Sequence, residues 1–228
     1  MSRLVLVLDQ GGHSSRAMAF DESGKIVAQA SEPVYTNINI IGWIEQNPVE
    51  LVDSLFHVLA KIADQLGGRC RDIVAAALIV QRSSIVAWDT STNEHLSQVL
   101  SWQDTRNSDW LDKKLSGKRD FIREKTGLYA NAHYGASKMR WLLDNVPAVK
   151  SAADNNHLCI APLASFLQQQ LTGKDESTEP VVDAVIASRT MLTELGASCW
   201  STELLDFFSI PEKILPRIKS TLADYGQI

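Results

Sequence analysis

Apolar residues fall in short dense runs at the start of the chain and at helical spacing further on. The run from Arg3 to Asp9, RLVLVLD, shows no alternation. That predicts a strand buried on both faces. A second strand is predicted over 16–21 and a third over 26–30, with Glu22-Ser23-Gly24-Lys25 as the turn between them. Three short strands joined by tight turns make an antiparallel meander. A helix follows, with Asn47 as cap, Pro48 at its first position and Glu50 at its third. Leu51, Leu55, Val58, Leu59, Ile62 and Leu66 recur along one stripe. His57 falls on the opposite, solvated face with Asp53, Lys61 and Asp64.

IVAAALIV, over 73–80, reads as a central buried strand, and SIVAWD, over 84–89, as another. A further short strand is predicted over 98–102. Helices are predicted over 107–115, 137–145, 162–172 and 201–208, and the polar stretch GKDESTEP, 173–180, is a loop. The order of three strands, a helix, two strands and further helices is an α/β layout with a mixed sheet.

Composition narrows the class. In 228 residues, 45% are hydrophobic and 21% charged, as in an ordinary globular protein. A net charge of −5, without a dense Lys/Arg cluster, gives no general attraction to nucleic acid or to an anionic membrane. The longest apolar run is far too short to span a bilayer, and the N-terminal run breaks at Asp9. Cys70, Cys159 and Cys199 are widely spaced and odd in number, so neither a disulfide framework nor a metal site is expected. A reducing, cytoplasmic location is the expectation.

The chemistry lies in LDQGGHSSRAMAFDESGKIV, residues 8–27. A Gly/Ser-rich turn between two strands can offer backbone N–H groups to an anion. Ser14 and Ser15 add hydroxyls, and Asp9 at the strand end can organise a hydrated Mg²⁺. The alternative is a tight hairpin with an exposed aspartate. Trp102, Gln103, Asp104 and Arg106 pose a similar choice. Trp102 can wall a sugar and Asp104 can accept from its hydroxyl, or Asp104 and Asn107 can cap the next helix. Trp43, Trp88, Trp110, Trp141 and Trp200 read as core or interface residues.

The opening stretch resembles the first phosphate motif of the FGGY carbohydrate kinases, and within them is most similar to the glycerol kinases. The likeness continues through GWIEQNPVEL, IVQRSSIVAWD, SWQDTR, KTGLYANAHYGASKMRWLLDN, ASRTML and FSIPEKILPRI, covering essentially the whole chain. It implies an actin/hexokinase-like (ribonuclease H-like) domain with a mixed five-stranded sheet flanked by helices. It implies ATP and Mg²⁺ as cofactors, a small sugar or polyol as substrate, and cofactor-binding residues Asp9, Gly11, Gly12, His13, Ser14, Ser15 and Arg16. Arg82, Ser83, Trp102, Asp104 and His133 take the substrate-binding positions. Residues 1–228 then correspond to the family's N-terminal domain. The nucleotide-binding domain and the catalytic base, carried by a Gly-Asp-Gln-type motif, are expected beyond Ile228. The chain is expected to be inactive by itself, as half of an ATP-dependent carbohydrate kinase. The alternative is a sugar-binding or regulatory module without catalysis.

The sequence also departs from the resemblance. Gly12 and His13 stand where glycerol kinases have two threonines, Ser83 where they have a glutamate, and His133 where they have a tyrosine. Val185 and Ile186 replace usually polar residues. Two of three aligned glycerol contacts differ, so another sugar or polyol is the expected substrate.

Overall fold

The computed structural model describes residues 3–173 and 179–228. The predicted loop over 173–180 therefore lies largely outside the described residues. The chain divides into two compact units: 1–36 with 46–81, and 37–45 with 82–228.

In the first unit, β1 (Leu4–Gln10), β2 (Ser14–Phe20) and β3 (Ile26–Pro33) form the expected meander. A later strand, β6 (Ile73–Val80), joins β1 in parallel, giving the order β3-β2-β1-β6. The intervening helix α1 (Pro48–Leu66) packs on β2 and β3. Asn47 caps it, accepting from the N–H groups of Val49 and Glu50. Glu50 accepts from Tyr35 N at 2.8 Å and so ties the end of the meander to the helix start.

Two sequence expectations fail here for one reason. Leu4, Leu6 and Leu8 are buried while Val5 is 41% exposed, so β1 alternates after all. Strand β6 is an edge strand with most of its residues exposed, not a central buried one. Apolar composition cannot tell one covered face from two. Among the described residues of this unit α1 is the one α-helix laid on the sheet, and its apolar stripe covers a single face.

The second unit holds β4 (Asn37–Ile38), the start of β5 (Ile44–Gln46), β7 (Ile85–Asp89), β8 (Val99–Leu100) and β9 (Leu158–Pro162), in the order β4-β5-β8-β7-β9. The pairings β4/β5, β7/β8 and β7/β9 are antiparallel. The five-stranded mixed sheet expected from sequence is thus divided: the mixed sheet has four strands, and SIVAWD belongs to a different sheet of five. The fold remains α/β with a mixed sheet flanked by helices.

The expected helices are α2 (Ser108–Lys114), α4 (Gly135–Asn145), α6 (Leu163–Thr172) and α8 (Thr202–Phe208). Three more were not foreseen: α3 (Arg119–Thr126), α5 (Pro147–Asp154) and the single turn α7 (Ala184–Ala187). Each is short, and α3 buries little beyond Ile122 and Thr126. Its apolar period never repeats often enough to register. A parallel pair, β10 (Val181–Asp183) with β11 (Arg217–Lys219), lies near the end of the chain. A core of Ile85, Leu100, Leu111, Met139, Leu142 and Phe208, among others, holds this unit together. Trp88 and Trp200 are buried as expected, their indole N–H groups donating to Gln169 Oε1 and Pro216 O. Among the described residues, no helix is long and apolar enough to cross a membrane.

Candidate functional site

The β1–β2 hairpin places Asp9 opposite Arg16 in the ladder, and the two side chains form an ion pair. Asp9 keeps 19% of its side chain exposed. The connecting residues 11–13 close through Gly11 N to Ser14 O at 2.9 Å. A Cβ on Gly11 would meet Ser14 O at 3.2 Å, so the turn favours glycine there; at Gly12 the nearest atom is 4.0 Å away.

Three glutamines fix this loop from within the unit. Gln81 Nε2 donates to Gln10 Oε1 at 3.0 Å and Gln46 Oε1 at 2.7 Å. Gln10 donates to Gly11 O, while Gln46 and Thr36 both donate to Gly12 O at 3.1 Å. The loop carbonyls are thereby satisfied. Among the described residues, the N–H groups of Gly12 and His13 donate to no protein acceptor. Two adjacent free donors on a fixed loop, beside a partly exposed carboxylate, suit an anion and its metal. Sequence reasoning missed Gln10, Gln46 and Thr36; their polarity at strand ends was the available signal.

The expected phosphate ligands do not all face that loop. Ser15 is fully buried, with its hydroxyl 2.7 Å from that of Ser54 on α1. Its place in the strand alternation points it at the helix, so it is a packing residue rather than a phosphate donor. Ser14 is half-buried and His13 exposed. One carboxylate is no metal cage, and no group of three His, Cys, Asp or Glu gathers among the described residues. Asp9 fits a Mg²⁺ ion that keeps most of its waters and reaches the protein mainly through a bound phosphate.

In the second unit, Arg82 is exposed and makes no hydrogen bond or ion pair among the described residues. Ser83 beside it is 2% exposed, has φ of +68°, and its hydroxyl lacks a partner. A buried serine in the left-handed region is uncommon and costs conformational energy. His133 is half-buried, edge-on to Trp102 at 5.5 Å and to Tyr134 at 5.1 Å. Burial lowers its pKa below the ordinary histidine value, and the charges of Lys138, Arg189 and Arg82 lower it further. Trp102 and His133 both line a cavity of about 640 Å³, together with Gln103, Asn131, Asp112 and Arg119. Its amide and charged groups can bind hydroxyls.

Asp104 is the clear departure from expectation. It is fully buried and both oxygens are engaged. Oδ1 accepts from Arg106 N and Nε, and Oδ2 from Arg106 Nη2 and Ile44 N. A carboxylate so occupied has no place for a sugar hydroxyl. Nor does it cap a helix: Asn107 precedes α2 in a left-handed conformation and donates to Ser137 O. Lys138, also fully buried, donates to the carbonyls of Ala132 and His133, both at 2.7 Å. It fixes the backbone that carries the His133 ring. Burial lowers its pKa to about 7, with Asp104 opposing the shift and Arg106 adding to it.

Residues 4–228 match the N-terminal domain described for the FGGY family of carbohydrate kinases. The glycerol kinase of Polaromonas sp. is 35% identical over 224 residues, spanning 98% of this chain and 44% of that protein. That of Enterococcus casseliflavus is also 35% identical, over 97% of this chain and 44% of its own length. Among solved structures, Plasmodium falciparum glycerol kinase with ADP superposes with a TM-score of 0.87 at 25% identity, covering all of this chain and 45% of that one. Xylulose kinase from Lactobacillus acidophilus shares the fold, with a TM-score of 0.81 at 23% identity over 95% of this chain and 42% of its own. The chain spans a little under half the length of these relatives.

Proposed function

Because this chain belongs to the FGGY family of carbohydrate kinases, as their N-terminal domain, we propose that it supplies the polyol contacts and part of the phosphate contacts of an ATP-dependent kinase. The observation that carries this reading is the hairpin loop, with free N–H groups at Gly12 and His13 beside Asp9. A phosphoryl group in transfer spreads negative charge over its oxygens, and fixed donors with a metal stabilise that charge. When bound, Mg²⁺ supplies the neutralising charge. Asp9 would hold its water shell, and Arg16 keeps the Asp9 carboxylate in place. Glycine at 11 sets the turn.

The polyol end of the reaction falls to the second unit. Among the described residues Arg82 presents a guanidinium fork without a hydrogen-bond or ion-pair partner, suited to paired hydroxyl oxygens. Trp102 and His133 supply apolar ring surface, and Lys138 holds the segment that bears His133. The base that takes the proton from the attacking hydroxyl is assigned to none of these residues. The isolated chain is therefore read as binding without turning over, and a cytoplasmic setting suits ATP as donor.

The test uses the protein purified from its natural source, with its intact mass determined first. Incubated with MgATP and a panel of triols, pentitols, pentuloses and sugar acids, it should release ADP with one of them. Asp9→Ala should lower that turnover about a hundredfold or more, with the melting temperature little changed. Turnover equal to wild type removes Asp9 from the reaction. Binding of a polyol with no ADP release, by a protein of this chain's own mass, identifies a sugar-binding module instead.

A further inference from the structure

The carbonyls of Gly11 and Gly12 are held from within the first unit. Gly11 O accepts from Gln10 Nε2 at 2.6 Å, and Gly12 O accepts from Gln46 Nε2 and Thr36 Oγ1, both at 3.1 Å. All of these residues belong to that unit. In a planar trans peptide the carbonyl of one residue and the N–H of the next point in opposite directions. Holding Gly11 O therefore aims the Gly12 N–H away from the glutamines, and holding Gly12 O does the same for the His13 N–H. Among the described residues both N–H groups are without a protein acceptor.

Gln10 and Gln46 are buried. A primary amide has a donor end and an acceptor end, and turning it about its last bond exchanges them. Gln81 fixes which way each is turned. Its Nε2 donates to Gln10 Oε1 at 3.0 Å and to Gln46 Oε1 at 2.7 Å, and approaches Gly11 O at 3.4 Å. With both oxygens drawn to Gln81, each neighbour's own NH₂ is turned to the loop. Turned the other way, either amide would set its oxygen against a carbonyl oxygen with no hydrogen between them. We propose that Gln81 is a positioning residue for phosphate binding: its NH₂ orients the amides of Gln10 and Gln46, which hold the Gly11 and Gly12 carbonyls and so keep the N–H groups of Gly12 and His13 aimed at a bound anion.

This inference rests on the kinase reading of the hairpin and adds what orients its donors. The peptide between Gly11 and Gly12 depends most on the clamp. Gly12 is not among the positive-φ glycines, and reversing that peptide carries its φ toward positive values, which glycine adopts at little cost. A carbonyl oxygen would then face the anion where an N–H had been. The same reversal one peptide later would drive His13 to positive φ, which a non-glycine residue resists.

The experiment is calorimetric titration of the protein with Mg²⁺-tripolyphosphate, a phosphate chain without adenosine, paired with urea unfolding and amide NMR spectra. In the wild type the Gly12 and His13 amide signals should move most on titration. Gln81→Met keeps the bulk and removes the NH₂; it should weaken binding about tenfold and lower the urea midpoint. Gly135→Ala, destabilising but remote from the loop in sequence and in the second unit, should leave affinity within about twofold. Thr36→Val removes a half-buried hydroxyl donor to Gly12 O without touching the glutamines, and should weaken binding about threefold even if Gln81→Met does not fold. Wild-type affinity in Gln81→Met at lowered stability makes Gln81 a structural residue only and overturns the inference, leaving the kinase reading standing. Wild-type affinity in Thr36→Val, or an equal loss in Gly135→Ala, overturns it too. Absence of tripolyphosphate binding by the wild type, or signals moving elsewhere than the loop, overturns both the inference and the phosphate role of the hairpin.

Discussion

Arg106 and Asp104 stand two residues apart and face each other in a doubly hydrogen-bonded ion pair, Nε to Oδ1 at 2.8 Å and Nη2 to Oδ2 at 2.7 Å. The guanidinium lies over the rings of Trp43 and Trp141, at 4.3 and 4.7 Å from their centroids, which meet each other edge-on, and it also meets Glu45 at 2.8 Å. Asp104 in addition accepts from Ile44 N. One short loop is thereby fastened to a β-strand and a helix. Removing the carboxylate leaves a buried cation and a buried N–H short of partners. Asp104→Ala should destabilise the protein by about 3 kcal/mol or more in urea unfolding, through lost structure rather than lost sugar contact. A variant as stable as wild type but unable to bind any polyol would return Asp104 to the sugar site.

Ser15 and Ser54 give a second test, this time of the hairpin. Ser54 Oγ donates to Leu51 O at 2.7 Å, so the hydrogen between the two hydroxyls comes from Ser15. Ser54→Ala then strands a buried donor and should cost about 1–2 kcal/mol. Ser15→Ala/Ser54→Ala removes both polar groups and should recover part of that loss. A double variant less stable than the sum of the singles contradicts the pairing.

Gly135 opens α4 where space is short. A Cβ there would lie 3.0 Å from Ile85 Cδ1 and 3.2 Å from both Cα and Cγ2 of Thr190. The Thr190 backbone cannot swing aside as a side-chain tip can. Gly135→Ala should therefore cost about 1–3 kcal/mol, as overpacking does, despite the better helix propensity of alanine. A rise in melting temperature would show that the neighbours give way.

Lys138 makes stability depend on pH in a direction that can be stated in advance. Its folded pKa is about 7 against an ordinary 10.5. Between those values the unfolded chain holds the extra proton, so stability rises with pH across that window. Below pH 7 both states are protonated, and the folded state carries a buried charge. Urea midpoints measured from pH 6.5 to 9.5 should climb more steeply for wild type than for Lys138→Met. Parallel curves would mean that Lys138 stays protonated throughout, held by the two carbonyls.

The sequence by itself determined the meander, the Asn47-capped helix, four of the later helices and the kinase family. Each rests on local signals: turn residues, a cap, an apolar stripe of sufficient length, or a long ordered set of motifs. It also placed Asp9 and the glycines in one turn, because neighbours in sequence at a hairpin are neighbours in space.

Tertiary structure decided what lies beyond the local chain. It put IVAAALIV at a sheet edge, since an apolar run carries no record of how many layers cover it. It turned Ser15 inward to Ser54, 39 residues on, and brought Gln10, Gln46 and Gln81 together under the loop. It engaged Asp104 with Arg106 and Ile44, and laid Arg189 over the ring of Tyr134. A side chain's chemistry depends on which partners fill its lone pairs and exclude water, and those partners come from distant segments that only the packed chain assembles.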